Sequence, residues 1–166
     1  MIASTFGILF LATDAKSQSS GETEDPKKEI IRMLKEAGTK GNPHFCQIIL
    51  NQPGHLRSSV DNMQLSSKAN GGSSARAQIL ASNSSYSISI DEASGFTAAP
   101  VGGNDQNTFR SSVIGYGAST FAETPGTIPT RMKRGQTDLE IDLIAERINE
   151  PFPAGEYRAE LTLRCE

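Results

Sequence analysis

The residue types that could support chemistry in this chain are few and scattered. Its two histidines, His44 and His55, both stand next to turn residues. Neither belongs to a His/Cys/Asp cluster with the spacing of metal ligands. Serine is abundant, but no Gly-x-Ser-x-Gly motif is present, so no nucleophile elbow is predicted. The sequence therefore predicts no catalytic residue, no metal site and no cofactor site, and indicates that the protein is not an enzyme.

Two further patterns have ordinary structural explanations. Gly115 and Gly117 repeat the first two glycines of a phosphate-binding loop, but no βαβ unit surrounds them, which favours strand geometry. Glu140, Asp142 and Glu146 could act as acid–base carboxylates, yet their placement is typical of the solvated face of one strand. We expect neither pattern to form an active site.

Two surface motifs remain. Arg131, Lys133 and Arg134 form a basic group that could bind an anionic surface, although such groups are usually solvated loops. Residues 83–85 (Asn-Ser-Ser) match the N-glycosylation acceptor pattern inside a predicted turn. That motif would have no meaning if the source were bacterial.

The two cysteines lie near the ends of a strand-rich region. Cys46 opens its first strand-like run, and Cys165 closes its last. In that last run Tyr157, Ala159, Leu161, Leu163 and Cys165 alternate with polar residues, which places them on one buried face. Both sulfurs should lie in an apolar layer, so we predict a Cys46–Cys165 disulfide, with two reduced, buried thiols as the alternative. A bridge over so long a loop is worth about 5 kcal/mol in the chain-entropy model.

Composition limits the class of protein. A chain of 166 residues suggests one domain with a real core, built without tryptophan. Gly, Ser, Thr and Asn are abundant outside the N-terminal third, which favours short strands and many turns. The net charge of −3 argues against nucleic acid, which requires a basic face.

The N-terminus resembles a secretory signal peptide. Residues 2–12 form an apolar run too short to span a bilayer, and Thr13 and Ala15 are small residues at the −3 and −1 positions of a cleavage site. No Lys or Arg precedes the run, which departs from the usual layout. We predict a signal peptide over residues 1–15, with a buried strand or an uncleaved anchor as alternatives. An exported chain would reach an oxidising compartment, which favours the disulfide. After cleavage the mature chain would have no stable membrane span.

Residues 16–44 are predicted to be a polar linker followed by one short amphipathic helix. Asp25 is the expected N-cap, Pro26 the first helical residue and Gly38 the stop. A helix of about three turns is not stable alone and must dock, either on its own domain or on a partner.

Residues 45–166 are predicted to form an immunoglobulin-like antiparallel β-sandwich, so that the chain is mainly β with one short N-terminal helix. A weak strand is expected over residues 55–65, with Leu56, Val60 and Leu65 as core anchors. The strands over residues 75–80 and 86–90 could form a hairpin. The other strands are expected over residues 45–50, 109–118, 137–148 and 156–165, and long loops over residues 91–108 and 121–135.

The end of the chain resembles a known family. Residues 152–157 (Phe-Pro-Ala-Gly-Glu-Tyr), followed by a strand ending in Cys165, look like the C-terminal end of bacterial secreted β-sandwich proteins of the pilus-subunit and spore-coat-U-like kind. The start at residues 46–48 and the run at residues 71–77 fit the same layout. The resemblance implies a structural or adhesive role at the surface of a Gram-negative bacterium, with other surface or pilus-like proteins as partners and no active site.

One departure bears on assembly. Subunits of chaperone–usher pili donate an alternating apolar extension to a neighbour, whereas residues 16–24 contain no such pattern. A self-complete domain is therefore favoured over polymerisation by that route.

We therefore expect an exported, non-enzymatic structural or adhesive surface module of fimbria-like type, located in the periplasm, outside the cell or on its surface. The alternative is a periplasmic ligand- or sugar-binding β-sandwich that uses the loops over residues 91–108 and 121–135. A concave site lined by aromatic residues between those loops would favour binding. A strand missing from a sheet would favour assembly.

Overall fold

A computed structural model of the protein describes residues 4–11 and 44–166, and the only regular secondary structure there is β. The prediction of a mainly β protein is confirmed. The expected helix lies outside the described residues. The part of the chain described includes no helix long and apolar enough to cross a membrane. The strands are β1 (Ser4–Leu11), β2 (Cys46–Gln52), β3 (Gly54–His55), β4 (Arg57–Ser58), β5 (Gln64–Ser66), β6 (Ala75–Ala81), β7 (Ser87–Asp91), β8 (Asn107–Gly117), β9 (Phe121–Pro125), β10 (Thr130–Arg131), β11 (Gly135–Arg147) and β12 (Arg158–Cys165).

The strands form two sheets. The first has the order β10-β7-β12-β1-β3. The second has the order β2-β6-β11-β5-β4, and β8 pairs with β11 and with β9. Every named pair is antiparallel except β1–β3, which is parallel.

The two sheets share one core. Ile88 and Leu161 of the first sheet and Ile79, Leu139 and Ile141 of the second belong to a single cluster of buried apolar side chains. The alternating positions predicted for β12 and β11 are the buried ones. Period-two alternation thus gives each sheet one apolar face, and these faces form the interior.

Strand β8 bends where two glycines were expected to bend it. Its pairing with β9 shifts register between Val113 and Gly115. A side chain on Gly115 would meet the ring of Phe121, because a Cβ built there lies only 2.2 Å from a ring carbon. Gly117 has a φ of +103°, a conformation that favours glycine. These glycines therefore serve strand geometry, as the sequence indicated.

The hairpin suggested for residues 75–80 and 86–90 is wrong. β6 lies in the second sheet between β2 and β11, whereas β7 lies in the first sheet beside β12. The turn at residues 82–86 carries the chain from one sheet to the other. Nearly every residue of β6 is buried, which is typical of a central strand with strands on both edges.

The continuous strand expected over residues 55–65 is also wrong. The chain forms the short strands β3, β4 and β5, interrupted by a turn in which Asn62 has a φ of +56°. The Ser59 hydroxyl and the Met63 amide both donate to Asp61, which stabilises the turn and holds the pKa of its carboxyl below the usual value. Leu56 and Leu65 are buried as predicted, but Val60 is fully exposed.

Candidate functional site

The last strand, β12, is paired to very different extents along its two edges. On one edge β7 pairs with only four of its residues, Thr162–Cys165. On the other edge β1 pairs with all eight, Arg158–Cys165. We call this second edge the β12 edge. Its core-facing side chains, Ala159, Leu161, Leu163 and Cys165, have no exposed area.

The strand on the β12 edge comes from the far end of the chain. In its register Phe6 stands opposite Leu163 and Ile8 stands opposite Leu161. Phe10 stands opposite Ala159 in the same register, so three apolar residues of β1 stand opposite core-facing residues of β12. On its other side β1 pairs with only two residues, Gly54 and His55 of β3. β1 therefore lies inserted between β12 and β3.

This strand falls within the segment predicted to be a signal peptide. A buried strand was the alternative for that segment, and the structure places Ser4–Leu11 in a strand. Cleavage after Ala15 remains a prediction, and it has a structural consequence. Removing residues 1–15 would leave the β12 edge without its neighbour, and unpaired backbone groups of an edge strand recruit another strand.

A disulfide pins the end of β12 at which β1 begins. Cys46 and Cys165 are bonded with their Cα atoms 6.2 Å apart, so the first residue of β2 and the last residue of β12 are joined across the two sheets. Neither cysteine is free. Ser4 stands opposite Cys165 in the β1–β12 register. The bond therefore fixes one end of the β12 edge against the second sheet.

The turn before β12 fixes the other end. The Tyr157 hydroxyl donates a hydrogen bond of 2.6 Å to the Pro153 carbonyl, which closes the turn. Burial raises the pKa of that hydroxyl, while the nearby Arg147 acts in the opposite direction. Gly155 has a φ of +153°, and a Cβ there would lie 2.9 Å from Pro100. The residues that carried the family resemblance thus form the turn that leads into β12.

Aromatic side chains gather beneath this turn rather than around an open ligand site. Phe96 contacts Phe109 and Tyr157 edge-on with ring centroids 4.9 Å apart, and Phe152 lies 5.9 Å away. All of these rings are buried. Asn104 accepts from the Phe96 amide and donates to its carbonyl, which ties the loop over residues 91–108 to the core. Phe96 therefore anchors that loop by packing.

An open cleft lies beside the turn, with a volume of about 490 Å³. Its apolar floor includes the buried side chains of Leu56, Leu65 and Phe152, and its rim includes the exposed residues Arg57 and Glu156. The remaining lining residues are Ser58, Asn62, Pro153, Ala154, Gly155 and Tyr157. The sequence did not reveal this cleft, because it joins segments almost a hundred residues apart.

The carboxylates of β11 are engaged in structural contacts. Asp142 is buried and accepts hydrogen bonds of 2.7 Å from the hydroxyls of Ser67 and Ser74. The prediction of a solvated carboxylate is therefore wrong for Asp142. The loop that follows β5 places Ser67 over this part of β11. Alternation therefore predicts that Asp142 lies on the outer face of the strand, but not that a loop covers it there. Glu140 pairs with Arg76 at 3.1 Å.

The remaining candidates are not brought together. Glu146 pairs with Arg110 and accepts from the Gln64 amide. His44 Nδ1 lies 2.7 Å from the Asn83 amide nitrogen, whereas His55 belongs to β3 and bridges to Ser73 through its backbone. Within residues 4–11 and 44–166, no group of three or more His, Cys, Asp and Glu side chains could hold a metal ion.

The basic group is exposed and surrounds a core anchor. Arg131, Lys133 and Arg134 are all exposed, while Met132 between them is buried and donates its amide to the Tyr86 carbonyl. Arg131 donates from Nε to the Ser84 carbonyl at 3.2 Å. Met132 therefore holds this segment against the core while the three charged side chains are exposed, as expected for a solvated basic run.

Comparison with known proteins does not assign a family. No protein-family model matches the sequence, and neither a curated protein nor a solved structure matches it.

Proposed function

We propose that this protein is an exported, non-enzymatic structural or adhesive surface module of fimbria-like type, with its two sheets arranged as an immunoglobulin-like sandwich. The observation that carries the proposal is the β12 edge. The last strand, whose core-facing side chains are fully buried, pairs along its whole length with a strand from the region with the signal-peptide pattern. A domain of this kind is completed by an added strand, which is a common basis for assembly.

While β1 remains in place, the domain is complete in itself. Once residues 1–15 are removed, the β12 edge accepts an extended strand from a surface partner. The partner strand needs alternating apolar residues to match Ala159, Leu161 and Leu163, because those side chains are fully buried in the core. The partner is thus another surface or pilus-like protein that carries such a strand.

The disulfide supports an extracytoplasmic location. Structural disulfides persist in oxidising compartments such as the periplasm and the cell surface. The Cys46–Cys165 bond spans 119 positions of sequence and fastens the last strand, which would otherwise fray at the C-terminus. A surface module that bears mechanical or proteolytic stress benefits from this restraint.

The alternative ligand-binding function has weaker support. It requires a concave aromatic site between the loops over residues 91–108 and 121–135. Neither loop contributes a residue to the cleft beside the turn, and Phe96 of the first loop is 5% exposed. The loop over residues 121–135 instead forms β9 and β10.

The proposal is tested by expressing the full chain in a Gram-negative host, fractionating the cells and determining the N-terminus by mass spectrometry. We expect export, a mature N-terminus at Lys16, oxidised cysteines and association with other surface proteins. Recovery of the intact Met1 form as a cytoplasmic monomer would refute the proposal.

The matched control is Ala15→Lys, which places a large charged residue at the −1 position and leaves Ser4–Leu11 unchanged. We expect this variant to retain its N-terminal segment and to form fewer complexes than the unmodified chain, because its own β1 still occupies the β12 edge. Equal complex formation by both proteins would show that assembly does not use this edge.

A further inference from the structure

Cations without a carboxylate partner are concentrated at one end of the molecule. Arg131, Lys133 and Arg134 are exposed, and none of them forms an ion pair with a described residue. Cations elsewhere do pair with carboxylates, namely Lys68, Arg76, Arg110, Arg147 and Arg164. The basic group therefore presents three positive charges, within four positions of sequence, to solvent or to a partner.

The backbone that carries the basic group is fixed on both sides. Arg131 belongs to β10, which pairs with β7, and Met132 is 1% exposed. The Lys133 amide donates a hydrogen bond of 2.7 Å to the hydroxyl of the buried Ser119. A partner of the basic group thus meets a segment that is already ordered, which lowers the entropy cost of binding.

Strand β11 leads from the basic group to the opposite end of the molecule. It has 13 residues, which corresponds to about 40 Å of extended chain. Arg134 comes directly before its first residue, and Ile148 comes directly after its last. Surfaces at these two ends can therefore contact different neighbours at the same time.

A second cleft, with a volume of about 520 Å³, lies at the far end of β11. We call it the end cleft. Asp61 and Met63 line it from the turn before β5, and Glu146 and Ile148 line it from the end of β11. Glu146 pairs with Arg110. Asp61 accepts hydrogen bonds within its own turn but pairs with no cation in the part of the chain described.

Further carboxylates face outward beside the end cleft. Asp105 is exposed and precedes Gln106, whose carbonyl accepts a hydrogen bond from the Ile148 amide. The Glu150 side chain is 72% exposed, whereas its partner Arg147 is 6% exposed. The negative charge of that pair therefore faces solvent while the positive charge is buried.

Exposed apolar side chains lie next to these carboxylates. Val60 is fully exposed beside Asp61, and Ile148 is 51% exposed. The aliphatic stems of lysine and arginine cover apolar surface while their charged groups reach outward. The end cleft thus complements the basic group both in charge and in apolar surface.

We infer that the basic group of one molecule binds the end cleft of a second copy of this chain. Complementary charge guides the two surfaces together and disfavours contact between two like ends. Because the surfaces lie at opposite ends of β11, the contact is head-to-tail, and its repetition adds copies in a row. This inference goes beyond strand addition, since it uses neither the β12 edge nor the cleft beside the turn.

The experiment uses the full chain with residues 1–15 retained and the disulfide formed, so that β1 occupies the β12 edge. Sedimentation velocity is measured over a range of protein concentrations at about 10 mM ionic strength, where the Debye length is about 30 Å, and again at about 150 mM. We expect the mean mass to rise with concentration at low ionic strength and to rise less at the higher one. A chain that stays monomeric in both would overturn the inference and leave strand addition at the β12 edge untouched.

Two variants each remove charge from one end. The first, Lys133→Gln with Arg134→Gln, alters the basic group and keeps the end cleft. The second, Asp61→Asn with Asp105→Asn, alters the end cleft and keeps both the basic group and the acceptor oxygen of the turn. Each variant alone should need a roughly tenfold higher concentration to associate. Arg76→Gln, which removes an exposed cation midway along β11, is the control and should associate like the unmodified chain.

An equimolar mixture of the two variants, with one of them labelled with ¹⁵N, gives the sharpest result. The intact end cleft of the first should bind the intact basic group of the second. Native mass spectrometry should therefore show mixed dimers that grow no further, which also shows that both variants fold. Absence of mixed dimers, or association of either variant at the concentration of the unmodified chain, would overturn the inference. Binding of the unmodified chain to anionic vesicles without self-association would assign the basic group to a membrane surface and overturn it as well.

Discussion

Strands β11 and β12 lie in the C-terminal half of the chain. They share the same pattern of alternation, but their neighbours in the sheets differ. Both alternate apolar and polar residues, and both bury their core-facing side chains completely. β11 is flanked on both edges by strands from residues 44–166, namely β5 and β6 on one edge and β8 on the other. β12 has only half its length covered by β7, and its full-length neighbour comes from residues 4–11.

Alternation therefore specifies the buried face of a strand without specifying which strand covers its edge. β11 is paired on both edges by strands of residues 44–166, so its surroundings are fixed once that part of the chain folds. β12 depends on a strand, Ser4–Leu11, that is separated in sequence from residues 44–166. An element completed by a distant segment can also be completed by an equivalent segment of another molecule.

The largest effect is expected from breaking the restraint on β12. Cys165→Ala should lower the free energy of unfolding by about 2–5 kcal/mol and loosen β12 before β11. Urea unfolding, followed by amide exchange, measures both quantities. Cys46→Ala is the matched control and should give the same loss, with no further loss in the double variant. Labelling of two thiols per chain in the denatured, unreduced protein would contradict the disulfide on which this prediction depends.

A smaller effect is expected from the buried carboxylate of β11. Asp142→Ala removes the acceptor shared by the hydroxyls of Ser67 and Ser74, leaving Ser67 only the Leu143 carbonyl at 3.4 Å, and should cost about 2–3 kcal/mol. Glu140→Ala on the same face removes a largely exposed ion pair and should cost at most about 1 kcal/mol. Thermal and urea unfolding compare the two variants. Equal losses would mean that the Asp142 network contributes no more than a surface pair.

The smallest effect is expected in the turn that leads into β12. Tyr157→Phe removes the hydrogen bond to the Pro153 carbonyl and should cost about 1 kcal/mol at neutral pH. Burial raises the pKa of the Tyr157 hydroxyl in the folded state. Its stabilising contribution is therefore complete below the unfolded value of about 10 and is lost as the pH rises through the folded value.

The free energy of unfolding should accordingly fall above about pH 10 in the unmodified protein and fall less in Tyr157→Phe. Tyr116→Phe is the control, because Tyr116 is 46% exposed and its hydroxyl lies 3.4 Å from Glu140. An identical alkaline decline in Tyr157→Phe and the unmodified protein would show that Tyr157 does not contribute to it.

The sequence predicts features that depend on one strand alone better than features that depend on which segment lies beside it. The buried faces of β7, β11 and β12 followed from alternation, because that pattern depends on the strand alone. The placement of β6 and β7 in different sheets did not follow, because a short turn is compatible both with a hairpin and with a crossover between sheets. Burial of Asp142 was missed because its cover, Ser67, lies on a distant loop.

The candidate site shows the same limit. The turn at residues 152–157 and the two cysteines were visible as local patterns. The strand character of Ser4–Leu11 was harder to predict, since an apolar run of that length satisfies both a signal peptide and a buried strand. The cleft could not be predicted, because it exists only where residues 56–58 and 153–157 meet in space.

Amide hydrogen exchange on the full chain and on Ile8→Asp tests whether β1 can leave the β12 edge without disturbing the strands of residues 44–166. Ile8 stands opposite the fully buried Leu161, so an aspartate there should expel β1. Thr5→Asp, opposite the exposed Arg164, is the matched control and should leave exchange unchanged. We expect Ile8→Asp to remove protection from the β12 amides that face β1, while those paired with β7 and those of β11 stay protected. Unchanged protection of β12, or an equal loss in β11, would contradict this expectation.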